Sequence, residues 1–322
     1  MGHIPTTHFE FTNKRYGAAI LQKYILMKKR TLICIHTMPS EIEMLEKFMN
    51  QYRKALMYLD ENDDVTLKVT LNLNPELTLW DESELKQDYF INKFSDMFDG
   101  IRNINEIVLD TSCWGTTQQK RESIELDYEQ FIFCDSDIML HEHLLKHQLS
   151  VSYQLDGYYI VSPAIPKWWD ASWDCLVDSR FLQQEQGNPF GDEMFNSIYV
   201  QDTSNVSIRQ IPVLKFGCGM HTLYSKSFWK LVGIPVSFGG YGPEDTYGMT
   251  CGKLANKFGY NVQQYVIDGC YITEDYFNRV PSFDGKLKIV DRKTEFYKKA
   301  ENIGGQEIVN FGKLLVEKQP NP

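Results

Sequence analysis

Apolar residues along this chain gather in short runs separated by longer amphipathic stretches, and that alternation predicts the elements. Residues 31–36 form a nearly continuous apolar run, the pattern of a strand buried on both faces of a parallel sheet. Met38-Pro39-Ser40 interrupts it. Ser40 with Glu43 three residues on has the spacing of a capping box, which predicts an amphipathic helix reaching about Leu59. Asn62-Asp63-Asp64 ends that helix, and residues 65–73 read as a second strand. A helix at 82–98 follows, then a strand at 104–109, a loop through Trp114-Gly115, a helix at 116–127 and a fourth strand at 131–134.

Strands alternating with helices about every 30 residues indicate βαβ units and a mostly parallel sheet, an α/β fold of Rossmann-like type. Right-handed crossovers then bring the loops after His36, Leu73, Leu109 and Cys134 to one edge, where a nucleotide would sit. The second half is less regular, with strand-like segments at 158–161, 211–216 and 264–267, and a Gln-, Asn- and Ser-rich stretch at 183–210 that reads as a long loop. There is no internal repeat. The expected organisation is an N-terminal arm (1–30), a nucleotide-binding half (31–150), a second half (151–280) and a C-terminal extension (281–322).

Composition narrows the partners. The chain has 322 residues, with 33 Lys+Arg against 43 Asp+Glu and a net charge of -10. That balance argues against an extended grip on nucleic acid and against adhesion to an anionic membrane. No run approaches the ~18 apolar residues of a membrane helix. The seven cysteines, at 34, 113, 134, 175, 218, 251 and 270, are widely spaced with no Cys-x-x-Cys pair, so a disulfide framework or thiolate zinc site is not expected. A reducing, cytoplasmic location follows as an expectation.

Two acidic constellations carry the candidate chemistry. Asp135-Ser136-Asp137 stands directly after the fourth strand, where two carboxylates one residue apart can face a hard cation such as Mn²⁺ or Mg²⁺. Gly239-Gly240-Tyr241-Gly242-Pro243-Glu244-Asp245 combines glycines, which let backbone approach a ligand closely, with an acidic pair that opens a helix. A carboxylate there can take up the proton of a sugar hydroxyl.

With these residues in view, the chain resembles the GT-A glycosyltransferases, chiefly the inverting family-2-like and galactosyltransferase-like members. Residues 131–138, Phe-Ile-Phe-Cys-Asp-Ser-Asp-Ile, are similar to their strand and Asp-x-Asp motif. Gly217-Cys218-Gly219-Met220, then residues 228–233, then 240–245, resemble their acceptor-side block. The likeness spans roughly residues 31–275, and 107 residues separate Asp137 from Glu244. It implies a GT-A sandwich whose 31–150 half binds a nucleotide-sugar, most simply a UDP-sugar, and whose 151–280 half binds the acceptor. Asp137 would ligate the metal, and Asp135 the ribose or a metal-bound water. Asp245 would be the base that deprotonates the acceptor, oriented by Glu244. Thr37 would touch the nucleotide base, Lys120 and Arg121 the diphosphate, and Gly217 and Gly219 the donor.

Two departures stand out. No histidine follows His221, so the further metal ligand of many such enzymes has no histidine here, and Asp268 is its expected substitute. Arg121 is followed by Glu122 where family-2 members often have Asn.

Weaker signals surround these. Trp168, Trp169 and Trp173 lie within six residues and could stack on a glycan acceptor or pack in the core. His141, His143 and His147 read as a wet helix face, His221 as a structural residue or a site contact, and Glu274-Asp275 as a second acidic pair near the end of the site. Two rival readings remain: a nucleotidyltransferase acting on a sugar phosphate, and a non-catalytic glycan-binding protein.

Overall fold

The first apolar run is β1 (Thr31–Thr37), every residue of it buried. It lies parallel to β2 (Val65–Leu71) on one side and to β5 (Gln130–Asp135) on the other. The computed structural model describes residues 28–73, 78–79, 87–112, 115–165, 175–178, 206–213, 220–274, 282–283, 287–288, 290–291 and 293–318. Within them follow β3 (Thr78–Leu79), β4 (Glu106–Asp110), β6 (Ile138–Leu140), β7 (Tyr158–Ala164), β8 (Ser207–Ile211), β9 (His221–Ser225) and β10 (Val262–Glu274). The helices are α1 (Ile42–Met57), α2 (Gln87–Asp96), α3 (Thr116–Ser123), α4 (Leu144–Ser152), α5 (Lys226–Val232), α6 (Glu244–Lys257) and α7 (Lys293–Glu317).

One sheet runs in the order β4-β2-β1-β5-β9-β7-β10-β6, with β8 paired to β10. The pairs β4-β2, β2-β1, β1-β5 and β7-β10 are parallel. β9 is antiparallel to both β5 and β7, so those two strands point the same way and their C-termini share one edge. This is the mixed, largely parallel, Rossmann-like α/β sheet that the alternation predicts. The carboxyl edge collects Thr37, Leu71, Asp110, Asp135 and Ala164.

Long apolar side chains from α1 (Leu45, Phe48, Tyr52) and the strands fill one continuous core. A second aromatic knot, Phe133, Tyr224, Phe228 and Trp229, packs with ring centroids 5.1–5.7 Å apart. Gly248 on α6 makes room for it, since a Cβ there would lie 2.7 Å from Trp229. Cys34, Cys134, Cys251 and Cys270 are buried and in no disulfide, and they serve as small apolar filling.

Local differences from the sequence reading have local causes. The capping box at Ser40 does not form: Pro39–Glu41 is a 3₁₀ turn and the Ser40 hydroxyl is buried with no hydrogen-bond partner among the described residues. α1 starts at Ile42 instead. The strand expected at 211–216 is β8, ending at Ile211. β6, β9 and α4 are additional elements, and the C-terminal extension holds a 25-residue helix, α7, that packs on α6. No helix among the described residues is long and apolar enough to cross a membrane. The arm at 1–27 and most of the 183–210 stretch lie outside the described residues.

Candidate active site

The two acidic constellations meet. Asp135 closes β5 beside His36 of β1, and its N–H donates to the Met220 carbonyl at 2.9 Å. Asp137, 8% exposed, follows at the turn into β6. Glu244 and Asp245 begin α6, where the helix dipole favours their charge.

Between them stands α3. Its Lys120 ammonium makes a buried ion pair with the Glu244 carboxylate, the two side chains 8% and 4% exposed. The same ammonium lies 5.5 Å from the centre of the Phe133 ring and within electrostatic reach of Asp135 and Asp245. Burial alone would loosen its proton. The charges of Glu244, Asp135 and Asp245 outweigh that and hold it above the ordinary lysine value.

Thr117, one turn earlier, donates to the other Glu244 oxygen at 2.7 Å and accepts from the Gly242 N–H at 2.8 Å. Its own N–H donates to the Gly240 carbonyl at 2.9 Å. This approach needs Gly115: a Cβ there would lie 2.2 Å from the Gly240 oxygen. Arg121 donates to the Pro235 and Gly239 carbonyls at 3.3 and 3.2 Å. Gln119 anchors the helix to the sheet through the Ile35 carbonyl (2.9 Å) and the Thr70 hydroxyl (2.7 Å). Both basic residues expected at the diphosphate thus turn toward the 235–244 segment, because that segment offers a carboxylate and two carbonyls at short range.

Asp245 has the proton affinity a base needs. Its residue surface is only half-buried, yet protein surrounds the carboxyl. Burial first and the Glu244 charge second push its pKa up to about 6, with Lys120 pulling the other way and the Thr246 N–H donating at 2.6 Å.

Asp135 and Asp137 supply hard oxygen donors at the end of one strand, a set that suits Mn²⁺ or Mg²⁺. Asp268 does not extend it. It sits in β10 with 2% exposure, and Arg209 grips both its oxygens, Nη2 to Oδ1 at 3.0 Å and Nε to Oδ2. A carboxylate neutralised by a guanidinium fork has little charge left for a cation. Nearby, Asp178 accepts from the Gly269 N–H at 2.6 Å. Among the described residues no three His, Cys, Asp or Glu side chains close a full metal cage.

Thr37 is fully buried at the end of β1, its carbonyl accepting the Asn72 N–H at 2.8 Å. Its hydroxyl has no hydrogen-bond partner among the described residues. His221 is fully buried and structural, its Nε2 3.2 Å from the Tyr52 hydroxyl. His141, His143 and His147 form a chain of ring contacts, with the Tyr58 ring 4.0 Å from His143. Gly217, Gly219, the three tryptophans at 168, 169 and 173, and Asp275 lie outside the described residues. Thr117, Ser136 with its 3.5 Å hydrogen bond to Glu41, and the Lys68–Asp110 pair at 3.7 Å were not legible beforehand, since no local motif marks such long-range partners.

No family model matches the chain, and no curated protein matches it in sequence. Solved structures similar to it include TarS residues 1–349 of S. aureus in complex with UDP-GlcNAc, at 11% identity and a TM-score of 0.44, covering 75% of this chain and 58% of that one. Another is the mannosyltransferase PcManGT from Pyrobaculum calidifontis in complex with GDP-Man and Mn²⁺, at 12% identity and 0.41, covering 92% and 66%. A third is GalNAc-T7 with UDP, GalNAc and Mn²⁺, at 9% identity and 0.44, covering 77% and 44%. The chain thus spans less than two thirds of each of these proteins.

Proposed function

We propose that this chain is a metal-dependent glycosyltransferase that moves a sugar from a nucleotide-sugar donor, most simply a UDP-sugar, to an acceptor hydroxyl with inversion. The observation that carries the reading is that Glu244 and Asp245 and, more than 100 residues earlier in the sequence, Asp135 share one buried ammonium at the carboxyl edge of the sheet. Open α/β sheets bind their ligands at that edge.

Asp245, with a pKa near 6, is ionised at neutral pH and basic enough to take the acceptor hydroxyl proton as the hydroxyl attacks the sugar. Glu244 orients the acceptor. Direct displacement needs one base and no nucleophile on the protein, which favours inversion. Asp137 and Asp135 would hold Mn²⁺ or Mg²⁺ and the ribose, and the end of β1 at Thr37 would lie toward the nucleotide base. When bound, the cation supplies charge to the departing diphosphate. The tryptophans at 168, 169 and 173 are candidates for stacking on a glycan acceptor, and Gly217 and Gly219 for the donor side.

A nucleotidyltransferase fits less well, because residues 37–40, Thr-Met-Pro-Ser, make no glycine-rich basic phosphate loop after β1. A screen of nucleotide sugars for Mn²⁺-dependent donor hydrolysis tests the reading without needing the acceptor. Pyrophosphate release from a nucleoside triphosphate would favour the nucleotidyltransferase. Glycan binding with neither nucleotide nor metal binding would favour a non-catalytic lectin-like role.

A further inference from the structure

We infer that Lys120 and Thr117 are positioning residues for the acceptor-side carboxylates and are not donor-phosphate ligands. This deepens the glycosyltransferase reading and rests on it. Three polar side chains of α3 converge on one segment. Thr117 holds one oxygen of Glu244 and the Gly242 amide, Lys120 holds the other oxygen, and Arg121 holds the carbonyls of Pro235 and Gly239. Gly115 meets the Gly240 carbonyl with no room for a side chain. The segment carrying Glu244 and Asp245 is therefore clamped along its length by one short helix. That helix is itself tied to β1 and β2 through Gln119.

Lys120 is the member of the clamp that also faces the donor side. Its ammonium is enclosed by Glu244, the Phe133 ring and the fields of Asp135 and Asp245. A buried cation so enclosed is poorly placed to reach out to a diphosphate. It is well placed to keep Asp135 beside the like-charged Glu244 and Asp245, which they would otherwise resist. Lys120 thus joins the donor and acceptor halves into one electrostatic unit, and Thr117 sets the rotamer of Glu244 within it.

The test separates binding from turnover. In Lys120→Met and Thr117→Val, kcat should fall about 30-fold or more and about 5-fold respectively, while the Kd of UDP with Mn²⁺, by calorimetry, changes less than about 3-fold. Lys120→Met/Glu244→Gln removes both charges of the pair and guards against a folding defect. Its kcat should be no lower than that of Glu244→Gln alone, the non-additivity of residues that act as a unit. Loss of UDP–Mn²⁺ affinity by about tenfold or more in Lys120→Met, or additive losses in the double variant, would overturn the inference while leaving the function standing. A wild-type chain that binds no nucleotide and cleaves no donor would overturn the function itself. The melting temperatures of the same cycle would still report whether Lys120 and Glu244 are coupled.

Discussion

Asp245 is where the acid-base behaviour of the site can be read directly. Its folded value near 6 stands above the ordinary 3.8, so the folded chain binds this proton more tightly than the unfolded chain does. Its contribution to stability is therefore fully present below about pH 4 and is lost as the pH rises through about 6. In the metal-free protein, Asp245→Asn should flatten that part of the melting-temperature profile. The same group should impose an acid limb on kcat/KM, activity rising with pH, and Asp245→Asn should nearly abolish transfer, by about 10³-fold, with UDP–Mn²⁺ binding kept. Asp137→Ala should abolish transfer together with Mn²⁺-dependent donor binding; full transfer in either variant would remove the assignment. His221 runs the other way. Burial lowers its imidazole from 6.5 to about 3, so its contribution is present above pH 6.5 and is lost as the pH falls toward 3. Tyr52→Phe/His221→Leu removes both polar partners and should make acid unfolding, followed by circular dichroism, begin at lower pH. At this scale the acidic pairs were legible because each is a local cluster at an element boundary. Thr117 and Arg209 were not, because their partners lie 127 and 59 residues away.

Among the elements, β1 and β5 were legible because a doubly buried strand is written as a nearly continuous apolar run, and β2 because Val-Thr-Leu-Lys-Val-Thr-Leu is rich in β-branched residues. β9 was not: His221–Ser225, His-Thr-Leu-Tyr-Ser, has neither an apolar run nor a strict alternation over its five positions. The capping box failed because the polypeptide already turned at Pro39, before Ser40 could serve as a cap. α3 was placed correctly, yet the partners of its basic residues were not legible, because a sequence shows charge and not what the charge faces. The helix makes a sharp prediction. Gly115→Ala places a Cβ 2.2 Å from the Gly240 oxygen, so the 239–244 segment must move. Stability should fall by about 1–3 kcal/mol, and kcat should fall far more than that loss explains. Gly305→Ala in α7 is the contrast. That glycine is exposed, with nothing within 4 Å of a new Cβ, and the substitution should stabilise the protein by about 0.5–1 kcal/mol in a denaturant titration.

For the whole molecule, the division into a 31–150 half and a 151–280 half meets a sheet that passes through both. β9 joins β5 to β7 without a gap in the pairing. Calorimetric unfolding should therefore give one transition, with calorimetric and van't Hoff enthalpies equal; two resolved transitions would mean that the halves fold separately. The net charge of -10 also takes on local meaning, since three acids, Asp135, Glu244 and Asp245, gather around one buried lysine. β10 has a different kind of consequence. Its first part pairs with β7 and β8, its last three residues pair with β6 directly after Asp137, and the register slips between Ile267 and Tyr271, where Gly269 has φ 92°. Because side chains alternate faces along a strand, deleting one residue from 268–270 would turn Ile272 and its neighbours inside out and drag the Asp137 turn out of line. Loop grafts and length changes that a surface connection would absorb are thus barred from this short stretch. Anyone recombining the chain with a relative would do best to place the crossover elsewhere.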